Sequence, residues 1–341
     1  MNLKISGQKY NIKMETQKEI VWGVIGAGKV CEKKSMPAMN TVSHSQVKIV
    51  MRRNEEACKD FALRHHIPNW TLDSKDIFND SEINAVYIAT PPDTHASYVI
   101  KAAKAGRAVY VEKPMARDHQ ECLSMITACE KANVPLFVAY YRRALPHFLR
   151  IKELITKGKL GQIKSVQINF NRSLRIEEIN NPEKIWRLKP EISGGGHFHD
   201  LASHQLDLMD FFFGPINEAR GKVENRAGLY KPADTVSAEF LFQNGVKGSG
   251  KWDFVSPETD IKDEIIIVGE EGELHFSTFA HAKIKGVSRS MGKISEEMIL
   301  PYHIQEPLIR TIVAELRGEG KCPSTGESAA RTSHIMDIIC S

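Results

Sequence analysis

The segment SGGGHFHDLASHQLD, residues 193–207, gathers His197, His199, Asp200, His204 and Asp207 behind Gly194, Gly195 and Gly196. Three readings suit these residue types. Three or four such side chains converging on one point would bind a metal. One imidazole with a carboxylate to orient it would exchange a proton with a substrate hydroxyl. A tight turn running into an amphipathic helix would need neither. Leu201, Leu208, Phe211 and Phe212 keep helical spacing up to Gly214, so a helix is expected from about Asp200. On it Asp200 and His204 share a face, and Asp207 shares part of it. A metal site would have to add His197 or His199, yet that H-x-H stretch is irregular, and neither a cysteine nor H-E-x-x-H supports it. The acid–base reading is therefore preferred, with no metal. A lone histidine is more often a hydrogen-bonded structural residue; His197 is nonetheless kept as a substrate candidate, beside Tyr141, Arg142 and Tyr302.

Acid–base chemistry on an alcohol is half of a hydride transfer, and the N-terminal part of the chain offers the other half. VWGVIGAGKVC places Gly26, Gly28 and Cys31 at the three positions of a dinucleotide fingerprint, with Ala27, Lys29 and Val30 between them. The first glycine makes the tight turn, the second lets the backbone approach a pyrophosphate, and the third position needs only a small residue. The amides and positive end of the following helix would hold the phosphates. The next apolar run ends VKIVMRRN, so Arg52 and Arg53 stand where an acidic residue would bind both ribose hydroxyls. Guanidinium groups suit a 2′-phosphate, which favours NADP and leaves NAD possible. A pair of solvated surface arginines is the plainer reading. TPPDTH, with Thr90, Pro91, Pro92 and His95, and VEKP, with Glu112 and Lys113, follow later strands at their carboxyl ends, where open α/β sheets bind ligands.

These residues need a scaffold, and the pattern of the chain supplies one. From residue 20 to 141 the apolar runs IVWGVI, VKIVM, AVYIAT, AVYVE and LFVAY alternate with segments of helical period. Continuous apolar strands between helices predict a doubly wound parallel sheet, a Rossmann domain. From 142 to 341 the pattern changes to period-2 segments (TVSAEFLF, KGSGKWDFV, DEIIIVG, ELHFST) closed by two helices, which predicts an α+β domain with a large, mostly antiparallel sheet. QNGV between two of these runs reads as a type I′ hairpin. Residues 1–19 read as a polar leader, with Met14 a plausible alternative start.

Composition excludes several classes. The chain has 341 residues, 42% hydrophobic and 26% charged, and a net charge of +4 with its basic residues scattered. A nucleic-acid partner has little support. No apolar run approaches the ~20 residues that cross a bilayer, and the N-terminus lacks a signal-peptide core. The six cysteines show no C-x-x-C pair, so they read as reduced thiols and the protein as cytoplasmic. A broad sheet with apolar outer positions would favour a homodimer or homotetramer.

GVIGAGKV, ATPPDTH, EKP, YRR, GGGHFHDLASHQLD and STGESAARTSHIMD together give the chain a resemblance to the Gfo/Idh/MocA oxidoreductases over about residues 20–341. The resemblance implies that Lys113, Asp200 and His204 are the catalytic residues. It also implies that Trp186 and Arg187, in IWRLKPEISGGG, lie beside the cofactor. The expectation is an NADP-preferring oxidoreductase acting on a secondary alcohol or ketone of a small sugar, polyol or cyclic diol. His204 would exchange the proton, Asp200 would orient its imidazole, and Lys113 would polarise the substrate oxygen. The alternatives are a glycosidase using transient nicotinamide oxidation and a non-catalytic cofactor-sensing regulator.

Overall fold

The computed structural model describes residues 17–341. Most of the expected polar leader, Met14 included, lies outside the described residues. Six short strands form the first sheet: β1 (Ile20–Ile25), β2 (Ser45–Met51), β3 (Asn69–Thr71), β4 (Ala85–Ile88), β5 (Ala108–Val111) and β6 (Leu136–Val138). All pair in parallel, in the order β3-β2-β1-β4-β5-β6. Every residue of β4 and β5 is buried, as helices on both faces require. Five of the six strands are the apolar runs. β3 is an edge strand of sequence NWT with two exposed residues, too short and polar to carry a pattern. The helix Glu55–Arg64 is capped by the Asn54 side chain, and His119–Lys131 by that of Asp118. Strand order reverses between β1 and β4, which opens a crevice at their carboxyl ends.

Eight strands make the second sheet: β7 (Ile163–Asn171), β8 (Ile216–Glu224), β9 (Thr235–Phe242), β10 (Lys247–Asp253), β11 (Lys262–Gly269), β12 (Gly272–Phe276), β13 (Lys283–Ser288) and β14 (Gly292–Glu297). Their order is β14-β13-β12-β11-β7-β10-β9-β8, antiparallel throughout except for the β7–β10 pair. β8, β13 and β14 read INEARGKVE, KIKGVS and GKISEE, too charged to stand out in sequence. The β9–β10 hairpin forms at QNGV, but not as type I′. Gly245 has φ +85°, whereas Asn244 is not among the positive-φ residues, and Gly245 N bonds Phe242 O at 2.9 Å. This is a three-residue loop with glycine in the left-handed position, the other common hairpin solution.

Alternation along these strands sends one set of side chains inward. Val166, Ile168, Val236 and Trp252 are buried, and Trp252 Nε1 donates to the buried Gln205 Oε1 at 2.6 Å, tying the sheet to the helix Ser203–Phe213. The opposite face is mixed, with Gln167, Asn169, Ser237, Glu239, Ser249 and Lys251 beside the apolar Leu241, Ile266 and Val268. The first sheet ends with β6 at Val138 and the second begins with β7 at Ile163, yet the end of the chain crosses back. The helix Gly326–Cys340 starts beside β6, with Thr325 bridged to Phe137, and its Asp337 Oδ2 accepts from His119 N at 2.8 Å. Tyr110 on β5 donates to Gln305 Oε1, 2.8 Å, at the head of the helix Glu306–Leu316. No helix among the described residues is long and apolar enough to cross a membrane.

Candidate active site

The loop after β1 has the geometry its sequence predicts. Gly26 has φ +89°, and a Cβ there would stand 2.7 Å from Thr90 Cγ2 and 2.8 Å from Thr90 N, so only glycine fits. At Gly28 the nearest atom to an added Cβ is Gly26 O at 3.7 Å, which leaves an open cradle beside the loop. Cys31 is buried beneath it, with Sγ 3.9 Å from Gly26 O. This backbone fits a dinucleotide: Gly28 allows close approach, and the chain turns helical at Lys29 and Val30. At the end of β2, Arg53 is exposed and Arg52 Nη1 donates to Ala57 O at 3.1 Å.

Two expected cofactor contacts turn inward instead. His95 is fully buried, with Nε2 2.7 Å from Thr90 O and Nδ1 3.1 Å from both Pro114 O and Met115 O. It clamps the Thr90–Pro91–Pro92 loop to the loop after Lys113. Glu112 is also buried and accepts from Tyr87 Oη at 2.7 Å, Gln305 Nε2 at 2.8 Å and its neighbour Lys113 N at 3.2 Å. It anchors the backbone that presents Lys113.

Lys113 reaches across to the second half of the molecule, where its Nζ donates to Asp200 Oδ1 at 2.7 Å and to Asp200 O at 2.8 Å. Arg187 Nε takes the other carboxylate oxygen, Oδ2, at 3.0 Å, and the guanidinium lies 4.4 Å over the Trp186 ring. Burial pushes the Asp200 carboxyl up, but Lys113 and Arg187 outweigh it and hold it well below the usual carboxylate range. Asp200 therefore does not orient His204, as expected of it. It sits in a π-type turn, Phe198–Ala202, and only from Ser203 is the helix regular. The wider turn breaks the four-residue stacking rule, and both oxygens already have cationic partners.

His204 stands in an aromatic cage. The rings of Tyr141, Tyr140 and Phe279 meet it edge-on at 5.6, 5.9 and 5.9 Å. Its Nδ1 is sealed from solvent without a partner among the described residues. Burial, then Arg142, Lys113 and Lys34, push its pKa well below 6.5, so the ring is neutral. Arg142 lies over the Tyr141 and Phe279 rings, 4.8 and 4.6 Å from their centroids, and Lys34 Nζ is 5.8 Å from that of Tyr141. Burial raises the Tyr141 phenol, but Arg142, Lys34 and Lys113 bring it below its ordinary value.

Other expected members lie elsewhere. His197 is buried against Arg172 and Glu178, its Nε2 2.7 Å from Arg172 Nη2 and 3.1 Å from Glu178 Oε1. One ring nitrogen cannot both accept from the first and donate to the second. Burial lowers its pKa, which favours the neutral ring accepting from Arg172. Tyr302 is 94% exposed and packs on His303, outside the cage. Asp207 points into the core, where Arg143 binds it through two 2.8 Å bonds, and burial pushes its carboxyl up to about 6. Sequence reasoning missed Lys34, three residues past the fingerprint, and Phe279 and the Arg172–Glu178 pair, which lie outside the motifs. Arg143 with Asp207 and Asp210 was legible only as arginine and spaced aspartates. Among the described residues no three His, Cys, Asp or Glu side chains converge as a metal site.

Comparison with known proteins bears on the family and the fold. Residues 20–140 fit the model of an oxidoreductase family with an NAD-binding Rossmann fold, and residues 148–275 fit the GFO/IDH/MocA C-terminal domain. Oxidoreductase P35 of Formosa agariphila is 40% identical over 325 residues, which is 95% of this chain and 99% of that protein. The 1,5-anhydro-D-fructose reductase of Ensifer adhaerens is 23% identical over 90% of this chain and 91% of its own length. A solved levoglucosan dehydrogenase, in complex with NADH and levoglucosan, superposes with a TM-score of 0.84 at 22% identity, covering 94% of this chain and 96% of that one. At that identity the likeness is one of fold.

Proposed function

The chain belongs to the Gfo/Idh/MocA oxidoreductase family, and on that premise we propose that it transfers a hydride between NADP(H) and a secondary alcohol or ketone of a sugar, polyol or cyclic diol. The observation that carries this reading is the Lys113–Asp200 pair, which joins the turn after β5 to the helix bearing His204. A bound nicotinamide would supply or accept the hydride. The protein does the rest. The Gly26–Val30 loop would hold a pyrophosphate through its amides, and Arg52 and Arg53 would meet a 2′-phosphate at the end of β2. The Thr90–Pro92 turn and the Trp186–Arg187 pair wall the same cleft. Lys113, fixed by Asp200, donates to the substrate oxygen and stabilises charge developing there. His204, neutral in its cage, takes the hydroxyl proton during oxidation and returns it during reduction.

The role of Asp200 in this reading is to aim Lys113. The names of relatives, levoglucosan dehydrogenase and anhydrofructose reductase, support a sugar-like substrate. All six cysteines are unpaired, which suits a reducing cytoplasm. Assembly into a homodimer or homotetramer is part of the reading, and sedimentation tests it. The deciding experiment is a panel of polyols, sugars and cyclic diols followed by nicotinamide absorbance with both cofactors. Turnover without net change in absorbance would favour a glycosidase. Cofactor binding without turnover of any compound would favour a regulator.

A further inference from the structure

We infer that the substrate carries a carboxylate, seated on the guanidinium of Arg142; this rests on reading the His204 cleft as the substrate site. Arg142 is only 7% exposed. Its one side-chain hydrogen bond among the described residues runs from Nε to Thr278 O, 3.0 Å, and its Nη1 is sealed with no partner. The next residue shows what a resident buried arginine looks like. Arg143, 4% exposed, holds Asp207 bidentately and Asp210 at 2.9 Å. Arg172 has Glu178 and Arg187 has Asp200. Arg142 is in no such ion pair among the described residues. Burying a guanidinium without an anion is unfavourable, and the two ring contacts offset only part of that.

The shape of the surroundings selects the ligand. Tyr141 and Phe279 take up the ring-facing contacts of the guanidinium and Thr278 O takes Nε, so the terminal nitrogens are left. A planar group with two oxygens matches that edge. Tyr141 and Phe279 also touch the His204 ring, so an anion on Arg142 and a hydroxyl at His204 fit the two ends of one small molecule. Thr278 Oγ1 and His147 Nδ1 are likewise sealed, without partners among the described residues, and the His147 ring feels the Arg142 charge. The other charges near the cage reinforce the sign. Lys34 and Lys113 are cations; of the two acids near them, Asp200 is already neutralised by Lys113 and Arg187, and Glu112 is tied up by Tyr87, Gln305 and the Lys113 amide. A polyhydroxylated acid of the uronate type meets these demands better than a neutral sugar.

The test is calorimetric titration of the cofactor-saturated protein with D-glucuronate, D-galacturonate and D-mannuronate, each beside its parent aldose, with D-glucose 6-phosphate as a separate arm. Cofactor affinity is measured first, on its own. At least one uronate should bind about ten to a hundred times more tightly than its parent, as a charge-assisted bond in a desolvated site gives. Arg142→Met, which keeps the stem between the rings, should remove that difference without altering cofactor affinity, and Arg142→Lys should restore part of it. The inference falls if no uronate exceeds its parent, if the preference survives in Arg142→Met, or if the sugar phosphate outbinds every uronate. Turnover of neutral polyols without carboxylate preference would sink this inference alone. Uronate binding without any nicotinamide chemistry would sink the proposed reaction and leave the anion seat standing.

Discussion

Lys113 holds Asp200 by two bonds at once, one to the carboxylate and one to the main-chain carbonyl of the same residue. The contact fixes both the charge and the backbone of the π-type turn, so the lysine is aimed by a residue from the other half of the chain. Lys113→Met should lower turnover by about 10²–10³-fold, the usual loss when one donor to a developing oxyanion is removed. Asp200→Ala should also lower it, and should destabilise the protein by about 3 kcal/mol, because Lys113 and Arg187 would then face each other without an acid between them. Urea denaturation and steady-state kinetics read the two effects. Full activity in either variant would remove the pair from the mechanism.

His204 makes a separate prediction because its imidazole is bonded neither to Asp200 nor to Lys113. Its pKa is pushed well below 6.5, so the neutral base persists into mildly acid solution. The acid limb of alcohol oxidation should therefore lie below pH 6.5. His204→Ala should lower turnover by about 10²–10⁴-fold and lose that limb, while cofactor affinity stays unchanged. Stability follows with a definite sign. Above pH 6.5 the ring is neutral in both states, and as pH falls below 6.5 the unfolded chain gains a proton that the folded one refuses. The wild type should thus lose stability over that range faster than His204→Ala. An acid limb unchanged in the variant would assign the proton to another group, with the Tyr141 phenol the next to examine.

The contrast between Asp200 and His204 shows what was legible in the residues and what was not. The β1 loop could be read because Gly26, Gly28 and Cys31 act through backbone shape, which local sequence dictates. Lys113 could be read at a strand's carboxyl end because VEKP follows the apolar run of β5, and His204 on a helix because Leu201, Leu208, Phe211 and Phe212 keep helical spacing. The partner of Asp200 could not, since four-residue spacing assumes a regular helix and the π-type turn shifts the register. The long-range contacts were hidden as well. Arg142 against Phe279 and Glu112 against Gln305 join positions over a hundred residues apart, and nothing in either stretch names the other. Charged strands such as β13 and β14 are paired because the sheet beside them offers an edge, not because their own residues favour it.

Cofactor choice depends on the two arginines after β2. Arg53 is exposed, and Arg52 is steadied at one nitrogen by Ala57 O, a carbonyl that leaves its charge uncompensated. Arg52→Asp should weaken NADP binding by about 1.5–3 kcal/mol, the range for a hydrogen bond to a charged group, and leave NAD nearly unaffected. Titration of both cofactors against both proteins reads the difference. Equal losses would mean that Arg52 supports the fold of the loop and reads no phosphate.

Glu178 gives a prediction about acid stability. It is 2% exposed and accepts from Arg172 Nη2 at 2.8 and 2.9 Å and from Arg175 N at 3.0 Å, with His197 beside it. Burial raises its carboxyl, but Arg172 and the Arg175 amide outweigh that and hold it below its ordinary value of 4.5, toward about 2. A folded-state pKa below the unfolded one adds stability that is present above pH 4.5 and is lost as pH falls toward about 2. The shift corresponds to about 3 kcal/mol. Glu178→Gln should therefore be less stable than the wild type by about that much at neutral pH, since Arg172 also loses its counter-charge. The gap should hold down to about pH 4.5 and then shrink as the wild-type carboxyl is protonated on unfolding. Urea denaturation of both proteins across this range measures it. A gap that stays constant to pH 3 would show that the cost comes from packing around the amide and not from the charge of Glu178.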